Sequence, residues 1–479
     1  MRDLRSRLLA FALTVSCAVA AGCNAPEGSL SNTPGNATVN AGGVTSAPAT
    51  SASPIQHFVI VVQENRTFND FFATFPGADG TTVGKALGEP NCNPPITRGS
   101  IALKESNLVL PADLDHKYQG FQIALHHGKM DGFDRIPNGS QQPECTYPYQ
   151  YTNPSQIAPY WQMARQYTLA EHMFTTQGSD SFTAHQDLIR GGTIVENGFA
   201  MVDLPDCGAQ DKKCHWGCDA PPGVRTSLIT RRDVWQKYRA AGPFPCSNQF
   251  KVPYPTLRDV LDAKSVSWKY YVPPFNTTFG RLMSAFDVVA AVRYGPEWAT
   301  SIISPQGQIL NDITYNQLPN VSWVIPSEPD SDHPGESIDN GPSWVSSIVN
   351  AIGTSSYWSS TAIIVVWDDW GGLYDNLKPP PGAVPGYGGL GLRIPAIIIS
   401  PYAKPGYISK TNYEFGSILR YIEDNWGLAR IGTSDAAANS IIDCFNYGQK
   451  RINFTAIAAP LSKEHFLHEK AYGPIDDDM

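Results

Sequence analysis

The sequence is poor in what would hold a polyphosphate. Its 35 Lys and Arg stand against 44 Asp and Glu, a formal net charge of -9. Proteins that grip nucleic acid by its backbone usually carry a basic excess, so nucleic-acid binding is excluded as the role of this chain. A single phosphate is another matter, because a bound metal ion can supply positive charge locally. The chain also lacks any C-x-x-C pair, although it has nine cysteines. Cys207, Cys214, Cys218 and Cys246 crowd one region at spacings unlike a zinc knuckle, and we read them as structural disulfides. With Cys17 and Cys23 set aside, an odd number of cysteines remains, which leaves at least one thiol unpaired. No internal repeat is evident. Long apolar runs are scarce too. LLAFALTVSCAVAAG, which follows Arg2, Arg5 and Arg7, is too short and too rich in small residues for a good membrane span, and reads as a secretory signal.

What is present is ample apolar material, with 42% hydrophobic and 11% aromatic residues, enough for a large packed core. Length alone permits two or three domains of roughly 100–200 residues each. The pattern is equally compatible with one large α/β domain carrying insertions. The signal run ends in AAGC, similar to a bacterial lipoprotein signal, with Ala20 where Leu is usual. We assign residues 1–22 to a signal peptide and residues 23–54, rich in Ala, Gly, Ser, Thr, Asn and Pro, to a flexible tether. Cys23 is then a candidate for lipidation and membrane anchoring, ordinary signal cleavage nearby being the alternative. The expected location is outside the cytoplasm, in the periplasm or at the cell surface. Residues 55–479 form the catalytic domain, with an irregular insertion at about 195–255, rich in Cys, Pro and Gly, near the mouth of the site.

Three apolar runs read as buried strands: IQHFVIVVQEN from Ile55, TAIIVVWDDWGG from Thr361 and IPAIIISPYA from Ile394. Such continuous β-branched runs suit a parallel sheet covered by helices on both faces. The first ends in Glu64 and Asn65 and the second in Asp368 and Asp369, where ligands bind in open α/β sheets. An acidic pair alone usually marks a turn. Two such pairs on matching strand ends can converge on one divalent cation if the strands are neighbours. Ser181 in GSDSFTAHQDLIRGG begins a helical pattern. Serine there is commonly a cap, yet the same helix N-terminus suits a phosphoryl group, and a nearby metal can activate the hydroxyl. Of the ten histidines, His116 in DLDHKYQGF and His333 in SDHPGES have the context of proton donors to a leaving group. His126, His127, His172, His215, His465 and His468 read as ordinary surface residues. His185, four residues after the serine, takes no assigned role.

Blocks such as HFVIVVQENRTFNDFFATFPG, TTQGSDSFTAHQDLIRGGT, SDHPGESIDNGPSWVSSIVNAIG and AIIVVWDDWGGLYDNLKPP occur in an order that resembles a bacterial phosphoesterase family. That family includes the non-haemolytic phospholipases C and an acid phosphatase. The resemblance implies an alkaline-phosphatase-like α/β/α sandwich with a mostly parallel central sheet. It implies a divalent metal (Ca, Mg, Mn or Zn) held by Glu64, Asn65, Asp368, Asp369 and Ser181. It further implies a phosphoserine intermediate at Ser181, with His116 and His333 contacting the phosphate or leaving group, and a phospholipid or small phosphate ester as substrate. Two positions depart from the family pattern: Asn376 and Lys410 stand where histidines are usual. These losses motivate the alternative of a non-catalytic surface binding protein on a degenerate scaffold.

Overall fold

β-Branched residues dominate the strand His57–Gln63 (β1) and the strand Thr361–Trp367 (β6), and both are buried along almost their whole length. They are the centre of an eight-stranded sheet in a computed structural model that describes residues 53–469 except 139, 206–214, 216, 222 and 240–245. The remaining strands are Thr168–Ala170 (β2), Trp268–Tyr271 (β3), Ile302–Ile303 (β4), Val321–Val324 (β5), Ala396–Ile399 (β7) and Tyr407–Ser409 (β8). The spatial order is β4-β3-β5-β1-β6-β7-β2-β8. β5, β1 and β6 are parallel neighbours, as are β3 and β4 beyond them. β7, the third run legible in the sequence, pairs antiparallel with both β6 and β2, so it alone is reversed in an otherwise parallel sheet. Burial on both faces, which the apolar run encodes, does not depend on strand direction.

Alternate residues of each strand point to opposite faces. On one face Phe58 packs edge-on against Tyr421 and Trp426 of the helix Phe415–Trp426. Trp323 of β5, in register with Ile60, donates its indole N–H to Leu188 of the helix Ser181–Arg190 on the same side. On the other face Trp367 packs against Tyr160 of the helix Ala158–Gln166. Gln63, its register partner, lies against the start of the helix Gly341–Gly353. The architecture is therefore an α/β/α sandwich. We label these helices α1 (Ala158–Gln166), α2 (Ser181–Arg190), α3 (Gly341–Gly353) and α4 (Phe415–Trp426).

The stretch read as an irregular insertion has more order than its composition suggests. Ile194–Glu196, Phe199–Met201, Thr226–Thr230 and Trp235–Arg239 form a four-stranded antiparallel sheet. Cys218 is disulfide-bonded to Cys246, while Cys207 and Cys214 lie outside the described residues. A second disulfide, Cys92–Cys145, joins segments with no cysteine motif in the sequence. Cys444 is free and buried, and burial pushes its thiol up to about 12. The proposed signal and tether, Cys23 included, also lie outside the described residues. No helix among those described is long and apolar enough to cross a membrane.

Candidate active site

Register brings the predicted carboxylates together. Gln63 pairs with Trp367, so the next residues, Glu64 and Asp368, leave the sheet side by side. Asp368 donates its backbone N–H to Gln63, and Glu64 donates its own to Ser331 in the loop after β5. Three adjacent parallel strands thus deliver their carboxyl-end loops to one place, as expected for ligand sites in open α/β sheets. Asn65 then turns out of the strand at φ 55°. Gly371 makes that turn feasible: a Cβ there would sit 2.2 Å from the Asn65 carbonyl oxygen, and its own φ is +55°.

Ser181 is the first residue of α2, behind Asp180 at the N-cap. Its hydroxyl does not act as the cap. Its Oγ lies 3.2 Å from Asn65 Oδ1 and 3.1 Å from Asp369 Oδ2. The Asn65 amide nitrogen has two hydrogens, and two imidazoles receive them: His333 Nε2 at 2.9 Å and His116 Nε2 at 3.2 Å. The other ring nitrogens are fixed from behind. His116 Nδ1 donates to the Leu114 carbonyl at 2.6 Å and His333 Nδ1 to that of Pro334 at 2.5 Å. Both rings therefore present Nε2 to the Ser181 hydroxyl group's surroundings, and His116 Nε2 is also 3.7 Å from Asp369 Oδ2. The Trp370 indole donates to the His116 carbonyl at 3.0 Å, tying that loop to the end of β6.

Beside this cluster lies a second one. Strand alternation puts Glu64 on the face covered by α2, where it meets His185, a residue to which sequence reading gave no role. His185 Nε2 is 3.1 Å from Glu64 Oε1 and 3.7 Å from Asp368 Oδ2, and all three side chains are buried. The Tyr270 hydroxyl gives its hydrogen to the Met283 carbonyl at 2.6 Å, so it can only accept from His185 Nδ1. The Nε2 lone pair then faces two carboxylates. Burial lowers the His185 pKa to about 4, which keeps the ring neutral at neutral pH. Burial and the adjacent Glu64 charge push the Asp368 carboxyl well above its usual range. Asp368 Oδ1 accepts from the backbone N–H groups of Asn65 and Asp369, at 2.9 and 2.6 Å, but Oδ2 has no hydrogen-bond donor among the described residues. Two buried carboxyl groups and an imidazole lone pair that converge within reach of one point form a set that a divalent cation satisfies. Glu64 and Asp368 thus join His185, whereas Asn65 and Asp369 gather at the Ser181 hydroxyl.

Asn376 and Lys410 take no part in either cluster. Both go to Asp79. The Asn376 amide donates to the Asp79 carbonyl, and the Lys410 ammonium lies between the Asp79 and Glu171 carboxylates at 3.1 and 3.2 Å. His172 approaches the same Asp79 carboxylate at 3.3 Å. Lys410 itself supplies the positive charge of this partly exposed group.

The profile of the Phosphoesterase family matches residues 55–429. The chain belongs to the Phosphoesterase family. This phosphoesterase is 24% identical over 450 residues to Phospholipase C A of Mycobacterium tuberculosis, an alignment covering 82% of this chain and 77% of that one. It is 22% identical over 446 residues to the Non-hemolytic phospholipase C of Pseudomonas aeruginosa, with 82% and 57% covered, so it spans little more than half of that relative. Among solved structures, a protein in the alkaline phosphatase superfamily from Vibrio parahaemolyticus is similar at a TM-score of 0.37 and 12% identity, covering 84% of this chain and 75% of that one. Family membership makes phosphoric ester hydrolysis the chemistry of this phosphoesterase.

Proposed function

We propose that this phosphoesterase is an exported phospholipase C that works through a phosphoserine at Ser181. One observation carries the reading: the Ser181 hydroxyl, on a buried helix start, is held by Asn65 and Asp369 beside the Glu64–His185–Asp368 cluster. A divalent cation bound by Glu64, His185 and Asp368 would stabilise developing charge on Ser181 and on the phosphoryl oxygens. An imidazole among the ligands suits Zn²⁺ better than Ca²⁺ or Mg²⁺.

The residues divide the work as follows. Asn65 Oδ1 orients the serine hydroxyl. Asp369 Oδ2 takes its proton as Oγ forms the bond to phosphorus and the bond to the departing alcohol breaks. Nε2 of His333 or His116 gives that alcohol its proton once the ring has taken up a proton there in exchange for the bond from the Asn65 amide, both rings being anchored through Nδ1 with Nε2 inward. In the second step water attacks the phosphoserine. Its proton returns to the imidazole, and Ser181 recovers its own from Asp369. The positive end of the α2 dipole favours an anionic phosphoryl group throughout.

The replaced histidines do not weigh against catalysis, because Asn376 and Lys410 bond to Asp79 and Glu171. The relatives named phospholipase C support a phospholipid substrate, and the basic, apolar N-terminal run supports export, with Cys23 as the anchor. Ser181→Ala should lower kcat by about a thousandfold or more, and rapid quenching of the parent enzyme should trap phosphate on the peptide that holds Ser181. Substantial turnover by the alanine variant would sink the assignment. Diacylglycerol released from phosphatidylcholine supports the phospholipase reading; free phosphate from p-nitrophenyl phosphate alone makes the protein a phosphatase instead.

A further inference from the structure

The far end of α2 borders a cavity of about 270 Å³ that plays no part in the chemistry of Ser181. The helix stops at Gly191, and the loop Gly191–Thr193, the insertion residues Ile194 and Ala200, and the glycine-rich segment around Gly386 and Tyr387 enclose the space. Asp187 opens onto it. The side chain is buried, and neither carboxyl oxygen has a hydrogen-bond partner. Arg190, one turn further on, does not pair with it. Its guanidinium donates to the carbonyls of Pro255 and Gly192 and lies over the Tyr254 ring at 3.7 Å. Burial, and then the negative charge of Glu414, push the Asp187 carboxyl well above its usual range, against the smaller opposing effect of the Arg190 charge. A buried carboxyl without donors is costly, and it is satisfied by a group that brings N–H hydrogens and positive charge. Ile194, Ala200, Val252, Pro253, Val384 and Tyr387 line the rest of the cavity with largely apolar surface.

We propose that this cavity binds a small primary alkylammonium compound, its –NH₃⁺ on the Asp187 carboxylate and its alkyl part against the apolar wall. A primary ammonium offers three donors, whereas a quaternary one offers none. The proposal is independent of phosphoester hydrolysis, because neither Asp187 nor the cavity wall belongs to the Ser181 or Glu64–His185–Asp368 clusters.

Calorimetric titration of the full chain tests it, with n-butylamine as probe. We expect saturable binding at one site per chain. Asp187→Asn should weaken it by at least about tenfold, the loss of one charge-assisted hydrogen-bonded contact. Val384→Phe, which fills the cavity and leaves the carboxyl intact, should do the same. Choline and n-butanol, which lack either N–H donors on the charged nitrogen or the charge itself, should bind at least about tenfold more weakly than n-butylamine. The source of the ammonium is then read with vesicles containing phosphatidylethanolamine: sedimentation with vesicles that both variants abolish assigns a lipid headgroup, and n-butylamine binding without it assigns a free amine. Failure of n-butylamine to saturate, equal binding of choline or n-butanol, or wild-type affinity in both variants overturns the proposal.

Discussion

Asn65 is a single residue with four engagements. Its side-chain nitrogen serves two imidazoles, its side-chain oxygen faces Ser181, its backbone N–H holds Asp368, and its carbonyl lies against Gly371. The last contact is the most exposed to substitution. Gly371→Ala places a methyl group in a left-handed position against that carbonyl, which should cost about 1–3 kcal/mol and displace Asn65. Chemical denaturation should therefore show a modest stability loss, while kcat falls far more than stability does. His185 makes a different prediction. His185→Ala leaves Glu64 and Asp368 without their nitrogen partner, and metal affinity measured by competition with a chelator should fall by at least the 10–100-fold seen when outer partners are removed. Sequence reasoning missed His185 because every position of α2 is buried, so no apolar stripe set off a functional face. A signal was there: residues four apart share one side of a helix, and Ser181 and His185 are four apart.

Elements differ in how plainly they are written in the chain. β1, β6 and β7 are readable as unbroken β-branched runs. β2, β3, β4, β5 and β8 are too short for periodicity to speak, and their pairing comes from tertiary packing. The direction of β7 was not legible, since a run buried on both faces reads the same whichever way it lies. The insertion's antiparallel sheet was hidden by a composition that usually marks loops. Its junction with the main domain also carries a titration. Asp287 sits against Gly217, whose φ is +58°, and bridges to Arg293, which also holds Asp219. Burial, reinforced by the Asp219 charge, raises the Asp287 carboxyl to about 8 despite Arg293. A carboxyl raised above its unfolded value of about 3.9 binds more protons folded than unfolded, so stability falls as pH climbs from about 4 through 8. Asp287→Asn should flatten that slope, as read from thermal unfolding at pH 5.5 and 8.5.

At the scale of the whole molecule, a sheet covered by helices on both faces and the end of the sheet where ligands gather were foreseeable from three apolar runs and the polar residues that end them, whereas the central pairing of β1 with β6, on which convergence of the carboxylates depends, came only with the structure. The disulfide Cys92–Cys145 was not foreseeable either, because nothing local announces a partner far along the chain. Net charge offers no counterweight to the buried Glu64 and Asp368, so stability of the entire domain should be tied to the cation. Stripping it with EDTA should lower Tm by a few degrees, and readdition of Mn²⁺ or Zn²⁺ at a hundredfold excess over Kd should restore about 2.7 kcal/mol. An unchanged Tm across that cycle would argue that the Glu64–His185–Asp368 cluster is not a metal centre.

The reversed strand β7 has a further consequence. β6 ends at the edge of the sheet that holds the site, and β7, running the other way, starts at that same edge, with Ala396 opposite Val366. The whole excursion between them, residues 368–395, leaves and returns without crossing the sheet. It includes Asp368, Asp369, Trp370 and Gly371 at one end and Val384 and Tyr387 further on. A parallel strand would have required the chain to cross back over the sheet before it began. Closing such a loop costs only about 0.6 kcal/mol more for each doubling of its length. Descent with insertion and deletion could therefore rewrite the loop beyond Gly371, and with it the cavity lined by Val384 and Tyr387, over generations while the strand ends that carry the carboxylates stayed in register. By this route a lineage could move between ligands without refolding its core.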